Sequence, residues 1–315
     1  MNPTPMIELD QVSCRLGDTV AVDGLSLQIQ RGELCVLVGT SGCGKSTTLR
    51  LLNKLLPCTR GNVRIDGQDI AQLDAIALRR RMGYAIQNTG LFAHWNVARN
   101  IGLVPHLLKW PKKRIEERVH ELLELLGLPS AEFAHKFPSQ LSGGQAQRVG
   151  VARALAGDPD ILLMDEPFGA LDPLTREALQ NELLRIQSRI QKTIVFVTHD
   201  IDEALKLADR IVVMERGRVV QHDTPGNLLL HPANAFVENL LGQGERGLKL
   251  AGLQRVAERM LPLLGEPPSV SIAAQDSLRQ ALSLMLWHRI DALAVHDGQG
   301  EIRGVLPIDA LLQSP

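Results

Sequence analysis

Short apolar runs punctuate the chain, and each ends in a turn or a polar cluster. Leu34-Cys35-Val36-Leu37-Val38, Ile161-Leu162-Leu163-Met164 and Thr193-Ile194-Val195-Phe196-Val197-Thr198 are unbroken, the mark of strands covered on both faces in a parallel sheet. Residues 7–30 instead alternate or cluster apolar positions around Gly17-Asp18 and Asp23-Gly24, which predicts an antiparallel hairpin. Further strands are expected at Gly61–Gly67 and Gly83–Gln87, and a hairpin at Arg210–Met214 and Arg218–Gln221 around Glu215-Arg216-Gly217. Helical spacing follows the first run, with Leu49, Leu52, Leu55 and Leu56 inside 48–56. Residues 88–157 read as mostly helical. There Pro111 opens and Gly127 closes a helix whose Ile115, Val119, Leu122, Leu123 and Leu126 share one face. The basic stretches Arg79–Arg81 and Lys109–Arg114 are expected to be solvated helix faces rather than phosphate or lipid contacts. Composition changes near Leu241–Gly247, a linker-like stretch. Beyond it come a helix (Leu278–Trp287), a strand (Ala292–Val295), a turn (Asp297–Gly300), a strand (Ile302–Leu306) and a short helix (Asp309–Leu312).

Chemistry-bearing residues sit where these elements end. Gly39 to Thr47 reads G-T-S-G-C-G-K-S-T, two glycines bracketing four residues and then Lys-Ser, which fits the phosphate-loop template. Gly39, Gly42 and Gly44 admit backbone conformations closed to other residues, so successive N–H groups can curl around a phosphate. The helix start adds partial positive charge. Lys45 can reach the outer phosphates and Ser46 can hold Mg²⁺. A glycine turn that binds nothing is the plain alternative; strand, loop and helix in succession tell against it. Leu141-Ser142-Gly143-Gly144-Gln145 is a second glycine-rich turn opening a helix. It suits a second phosphate site, although Ser-Gly-Gly alone is an ordinary cap. The run at 161–164 ends in Asp165-Glu166-Pro167, two carboxylates where open α/β sheets bind ligands. One can engage Mg²⁺ and the other can orient or deprotonate a water. The run at 193–198 delivers His199-Asp200 to the same edge, where His199 can contact a γ-phosphate, although a lone His is more often structural.

Composition narrows the classes. The 315 residues, 44% hydrophobic and 22% charged, suffice for one large domain and a smaller one. A net charge of −1 and 3% aromatic residues leave no footprint for nucleic acid. Cys14, Cys35, Cys43 and Cys58 show no metal-ligand spacing and are expected to be reduced thiols. Cys43, at a helix N-terminus and facing the phosphate pocket, is expected to react with alkylating reagents, with ATP protecting it. The start Met1–Asp10 lacks the features of a signal peptide, and no apolar run reaches the roughly 18–20 residues of a membrane span. Any action on a membrane then needs another chain.

The order of the motifs says more than any one of them. The phosphate loop, Gln87, L-S-G-G-Q, I-L-L-M-D-E, Ala170-Leu171-Asp172 and His199, in that succession, resemble the ATP-binding cassette (ABC) family of ATPases over roughly residues 7–240. Gly39–Asn53, Arg79–Gln87 and Gly90–Ile101 resemble, within it, the ATP-binding subunits of bacterial osmoprotectant importers, the glycine betaine, choline and carnitine group. The resemblance implies an α/β P-loop NTPase with a mixed sheet core, an antiparallel β subdomain and a helical subdomain at about 88–157. It implies an ATPase domain over 1–242, a linker over 243–268, and over 269–315 a single small α+β unit of the cystathionine-β-synthase (CBS) type.

It also implies roles. Gly39, Thr40, Ser41, Gly42, Cys43, Gly44, Lys45, Ser46 and Thr47 would hold the phosphates of ATP, with Ser46, Asp165 and Gln87 at Mg²⁺. Glu166 would be the general base, His199 would touch the γ-phosphate, and Gln87 would also meet the attacking water and report to the membrane subunit. Ser142, Gly143, Gly144 and Gln145 would complete the site of a second copy in a head-to-tail dimer sandwiching two ATPs. Expected partners are that copy, transmembrane permease subunits and, indirectly, a periplasmic or extracellular solute-binding protein, with no nucleic acid. The implied location is the cytoplasmic face of the inner or plasma membrane. Two features depart from the family. Leu16 precedes Gly17 where an adenine-stacking aromatic is usual, which loses ~1 kcal/mol of stacking. The better-known relatives carry paired CBS modules, where this chain has one. In it Pro307 replaces the Ser or Thr of nucleotide-binding versions and Asp309 comes one residue early, which argues against adenosine binding. The alternatives are an importer ATPase for another small solute and, further off, a soluble cassette ATPase acting on DNA or ribosomes. The latter typically carry coiled-coil insertions, zinc-binding cysteines or two cassettes, none of which is read here.

Overall fold

In the computed structural model, which describes residues 4–86, 90–169 and 171–312, the chain divides into units of residues 1–224 and 225–315. The expected hairpin is β1 (Ile7–Leu16) and β2 (Thr19–Ile29), paired antiparallel. Every residue of β3 (Leu34–Gly39) is buried, as an unbroken apolar run demands. Helix α1 (Lys45–Leu52) begins directly after Gly44, its left-handed N-cap, and so starts and stops earlier than the leucine spacing suggests. Strands β4 (Arg60–Ile65) and β5 (Gln68–Asp69) complete a first sheet in the order β2-β1-β4-β5. The arginine run lies on α2 (Ala75–Arg80) and the turn into β6 (Met82–Ala85). It is not simply a solvated face, because Arg79 donates to the carbonyls of Asn53 (3.2 Å) and Lys54 (2.6 Å), tying α2 to the end of α1.

Helices then dominate: α3 (Val97–Ile101), α4 (Leu103–Leu107), α5 (Lys112–Leu125), α6 (Ser130–Phe133) and α7 (Gly143–Leu155). Helix α5 buries Val119, Leu122 and Leu123 of the expected stripe. The first unit closes with β7 (Ile161–Asp165), α8 (Pro173–Ile190), β8 (Thr193–Val197), α9 (Ile201–Leu207), β9 (Arg210–Glu215) and β10 (Arg218–Asp223). Its second sheet runs β10-β9-β3-β8-β7-β6, parallel except for β10, and is therefore mixed. One apolar core joins both sheets and α1 through residues such as Leu9, Leu25, Leu37, Leu49, Val195 and Val212. Adjacent parallel strands β3, β8 and β7 bring their C-terminal ends, and the loops that follow, to one sheet edge.

The second unit contains α10 (Pro225–Leu230), α11 (Ala235–Leu241), α12 (Arg246–Leu253), β11 (Ser271–Ala273), α13 (Leu278–His288), β12 (Ala292–His296), β13 (Ile302–Pro307) and α14 (Ile308–Leu312). Strand β12 pairs in parallel with β11 and antiparallel with β13, and Val256, Ile272, Leu293 and Leu306 belong to a separate core. Two features differ from expectation. The units part after Thr224, not at 242. The stretch read as a linker, 243–268, forms α12 and buries Val256. Helix α12 has no fully buried residue, so it left no apolar stripe to read. Among the described residues no helix is long and apolar enough to cross a membrane.

Candidate active site

The glycine loop is pinned at both ends. A Cβ on Gly39 (φ 153°) would lie 2.1 Å from the Met214 carbonyl oxygen, and one on Gly44 (φ 104°) 2.4 Å from that of Ala21. Between them Thr40, Ser41 and Gly42 are exposed, and Ser46 and Thr47 are half-buried in the first turn of α1. Lys45 is buried, its Nζ donating to the carbonyls of Gly39 (2.7 Å) and Thr40 (3.0 Å) and lying 3.7 Å from Cys43 Sγ. The ammonium is thus folded back onto the loop it follows. The expectation for Cys43 is corrected. Its thiol is 2% exposed and belongs to the apolar core beneath the loop, and its N–H donates to the Thr40 carbonyl at 3.2 Å. The handedness of the glycines, which sequence does not display, aims that side chain inward.

Four residues from three strand ends meet beside this loop. Ser46 Oγ donates to Asp165 Oδ1 at 2.8 Å, joining α1 to the end of β7. Burial pushes the Asp165 carboxyl above its ordinary range, and the Ser46 hydrogen bond pulls it back. A hydroxyl and a carboxylate already in contact are the hard oxygen donors that Mg²⁺ takes, so the pair fits that ion. Glu166 follows with φ 46°, a left-handed conformation uncommon for a residue with a side chain and a form of strain that clusters at functional sites. Its N–H donates to the Val197 carbonyl (3.0 Å), and its Oε2 lies 3.4 Å from Nδ1 of the exposed His199.

The other expected residues stand apart. Ser142 and Gln145 cap α7 reciprocally: Ser142 Oγ accepts from Gln145 N (3.3 Å) and Gln145 Oε1 from Ser142 N (2.9 Å). Ser142 and Gly143 are exposed, while Gly144 packs on Thr175. Among the described residues no hydrogen bond links this turn to the glycine loop. Leu16 is 43% exposed at the end of β1. Gln87 lies outside the described residues.

Sequence reasoning missed the polar side chains that hold these loops. Asn100, wholly buried, accepts from Phe92 N (2.8 Å) and donates to the carbonyls of Phe92 (3.2 Å), Trp95 (3.0 Å) and Asn96 (3.1 Å). Arg176 donates to the Leu171 carbonyl (3.3 Å) and reaches Asp200 Oδ2 (3.5 Å), next to His199. Gln180, one turn further on α8, donates to the buried Glu203 (3.0 Å). The available signal was the four-residue spacing of Arg176 and Gln180 among the inward leucines of α8.

A family model described as ABC transporter matches residues 22–169. The chain is 50% identical over 310 residues to the glycine betaine uptake system ATP-binding protein of Escherichia coli, covering 98% of this chain and 99% of that one. It is 45% identical over 310 residues to the glycine betaine/carnitine/choline transport ATP-binding protein of Bacillus subtilis, covering 98% of this chain and 80% of that one. Among solved structures, the dimeric post-hydrolysis state of the ATP-binding cassette MJ0796 bound to ADP and Pi is similar, with a TM-score of 0.63 and 34% identity over 70% of this chain and 99% of that one. CbiO1 from Clostridium perfringens, part of the ABC transporter complex cbiONQ, has a TM-score of 0.68 and 27% identity over 78% of this chain and 99% of that one.

Proposed function

The chain belongs to the ABC transporter family, and on that premise we propose that it is the ATP-hydrolysing subunit of a bacterial importer for a quaternary-ammonium osmoprotectant such as glycine betaine or choline. The observation that carries the chemistry is the meeting of Ser46, Asp165, Glu166 and His199 at one sheet edge beside the glycine loop. The solute class follows the relatives that are 45–50% identical over 98% of the chain.

ATP is the substrate. Its phosphates lie along Gly39–Thr47, on backbone N–H groups and the start of α1. Lys45 exchanges the Gly39 and Thr40 carbonyls for outer phosphate oxygens. Ser46 and Asp165, with Gln87, would hold Mg²⁺, which would neutralise phosphate charge when bound. Glu166 takes a proton from the attacking water as the water oxygen bonds the γ-phosphorus. The bond from that phosphorus to the β–γ bridging oxygen breaks, and ADP and phosphate leave. His199, beside Glu166, contacts the γ-phosphate and orients the carboxylate. Leu16 covers the adenine with an aliphatic contact.

Ser142, Gly143, Gly144 and Gln145 serve the ATP of a second copy. The exposed position of Ser142 and Gly143 at the start of α7 supports this, as does the dimer formed by the related cassette MJ0796. A groove lined by Trp95, Arg99, Leu103, His106, Trp110 and Ile115 receives the transmembrane permease subunits, through which a solute-binding protein is served. The chain works peripherally at the cytoplasmic face of the membrane. Residues 269–315 act as a single CBS-like regulatory unit that follows the ATPase domain and the segment 243–268 in sequence.

The test is uptake of labelled glycine betaine by cells without other betaine carriers, at low and high salt. Deleting the chain should abolish uptake, and the wild-type chain should restore it where Glu166→Gln does not. Unchanged uptake, with hydrolysis by the purified chain intact, would move the solute to another class and leave the ATPase standing.

A further inference from the structure

At the end of β3 away from the glycine loop, three side chains of different donor type converge. Glu33 immediately precedes the strand, Cys35 is its second residue, and His222 lies on β10. One ligating atom from each lies within 4.8 Å of the others, the one such group of three among the described residues. Topology explains the meeting. Cys35 pairs with Arg210 on β9, and Val212, two residues on and so on the same face, pairs with His222. No Cys or His spacing along the chain announces it, because the third donor arrives through strand pairing.

Glu33 is 8% exposed and half satisfied. Its Oε2 accepts from Gln30 N at 2.6 Å, while the buried Oε1 has no hydrogen-bond partner among the described residues. A buried carboxylate oxygen without a donor is costly, and a cation removes the cost. A groove of about 460 Å³ has Glu33, Arg210 and His222 in its wall and gives a path inward. Asp209, whose Oδ2 accepts from Leu34 N, stands beside Glu33 and Cys35, with the Arg210 guanidinium opposing it. Burial holds the Cys35 thiol protonated until a cation enters.

We propose that Glu33 Oε1, Cys35 Sγ and a ring nitrogen of His222 bind one divalent ion of the Zn²⁺ class, with its fourth position open to the groove. Mixed sulfur, nitrogen and oxygen donors select such an ion over Mg²⁺ or Ca²⁺, which take oxygen alone. Arg210 Nε donates to His222 Nε2 at 3.2 Å, so an ion on that nitrogen takes the place of the guanidinium, which keeps the His222 carbonyl at 3.4 Å. The Cys35 proton is released to solvent on binding. Cys35 is four residues from Gly39, roughly 13 Å along a strand, so the ion stands clear of the phosphate loop.

The experiment uses the untagged full chain under a phosphine reductant, with excess Mg²⁺ to fill the oxygen donors at Ser46 and Asp165. Co²⁺ is titrated in and the near-ultraviolet thiolate-to-cobalt charge-transfer band is read. The expected result is saturation at one equivalent, displacement by Zn²⁺, loss of the band in Cys35→Ser, and binding weakened at least about tenfold in His222→Gln. Cys14, Cys43 and Cys58 remain in Cys35→Ser, so a band that survives there belongs to another thiol and overturns the proposal. No band in the wild type overturns it equally. Circular dichroism shows whether Cys35→Ser has folded. If it has not, Glu33→Gln carries the test, since the rise in Tm that Zn²⁺ gives the wild type must disappear in it.

Discussion

Glu166 concentrates two properties in one residue: a left-handed backbone at φ 46° and a carboxylate 3.4 Å from His199. Glu166→Gln keeps size and backbone but cannot take a proton. Phosphate release should fall by at least ~10²-fold while MgATP binding, read by equilibrium filtration, is retained. Gly39→Ala tests the loop differently. Its Cβ would sit 2.1 Å from the Met214 carbonyl, so β3 and β9 must part; Tm should drop by several degrees and ATP affinity with it. Cys43, buried at 2% exposure, should resist alkylation in the folded chain, and half-buried Cys58 should label first when modified peptides are mapped by mass spectrometry. Labelling of Cys43 ahead of Cys58 would show the thiol facing the pocket after all. At this scale the sequence told which residues gather, because loop, carboxylates and His199 each follow an apolar run. It did not tell which way Cys43 points, or that Asn100 and Arg176 hold the loops, because those facts depend on backbone handedness and tertiary partners.

Elements were legible in proportion to how completely they are buried. Strands β3, β7 and β8 are buried at every position and read directly as unbroken runs. Helix α8, the longest in the described chain, went unread because one of its four buried positions is Gln180. That polar seam has its own consequence. Burial pushes the Glu203 carboxyl above its ordinary value of about 4.5, with hydrogen bonds from Thr198 and Gln180 opposing. The unfolded chain therefore loses this proton first as pH rises, and the folded chain holds it longer. In the window above 4.5 the folded state binds more protons, so Glu203 makes stability fall as pH increases through it. Glu203→Gln retains an acceptor for Gln180 and removes the titration. Denaturant melts should show that slope flattened, with stability at neutral pH unchanged or ~1 kcal/mol higher. A steeper slope would mean that the carboxylate is favoured by its surroundings. Asn100→Leu attacks the segment Phe92–Asn96 instead, removing its four hydrogen bonds. Uptake should suffer more than hydrolysis by the free chain, because the groove beginning at Trp95 is the face assigned to the permease.

Across the whole molecule the cluster of Ser46, Asp165, Glu166 and His199 and the Ser142 turn are separate features of one unit, and the turn spends its own polar groups on capping α7. Ser142 and Gly143 are exposed, so the turn is open to a second copy. In the proposed head-to-tail pair each turn would face the other copy's phosphates, where its N–H groups and the start of α7 favour anions. The dimer should therefore depend on nucleotide and persist when hydrolysis is blocked. Glu166→Gln with MgATP should double in mass by light scattering, and without nucleotide it should return to the monomer. Adding Ser142→Arg places a bulky cation in the seam but leaves the same chain's glycine loop untouched. That double variant should still bind ATP through its own glycine loop, more weakly by the coupling lost with the dimer, and remain monomeric. If it still dimerises, the turn lies outside the seam, and the second half of each ATP site must be sought elsewhere on the chain.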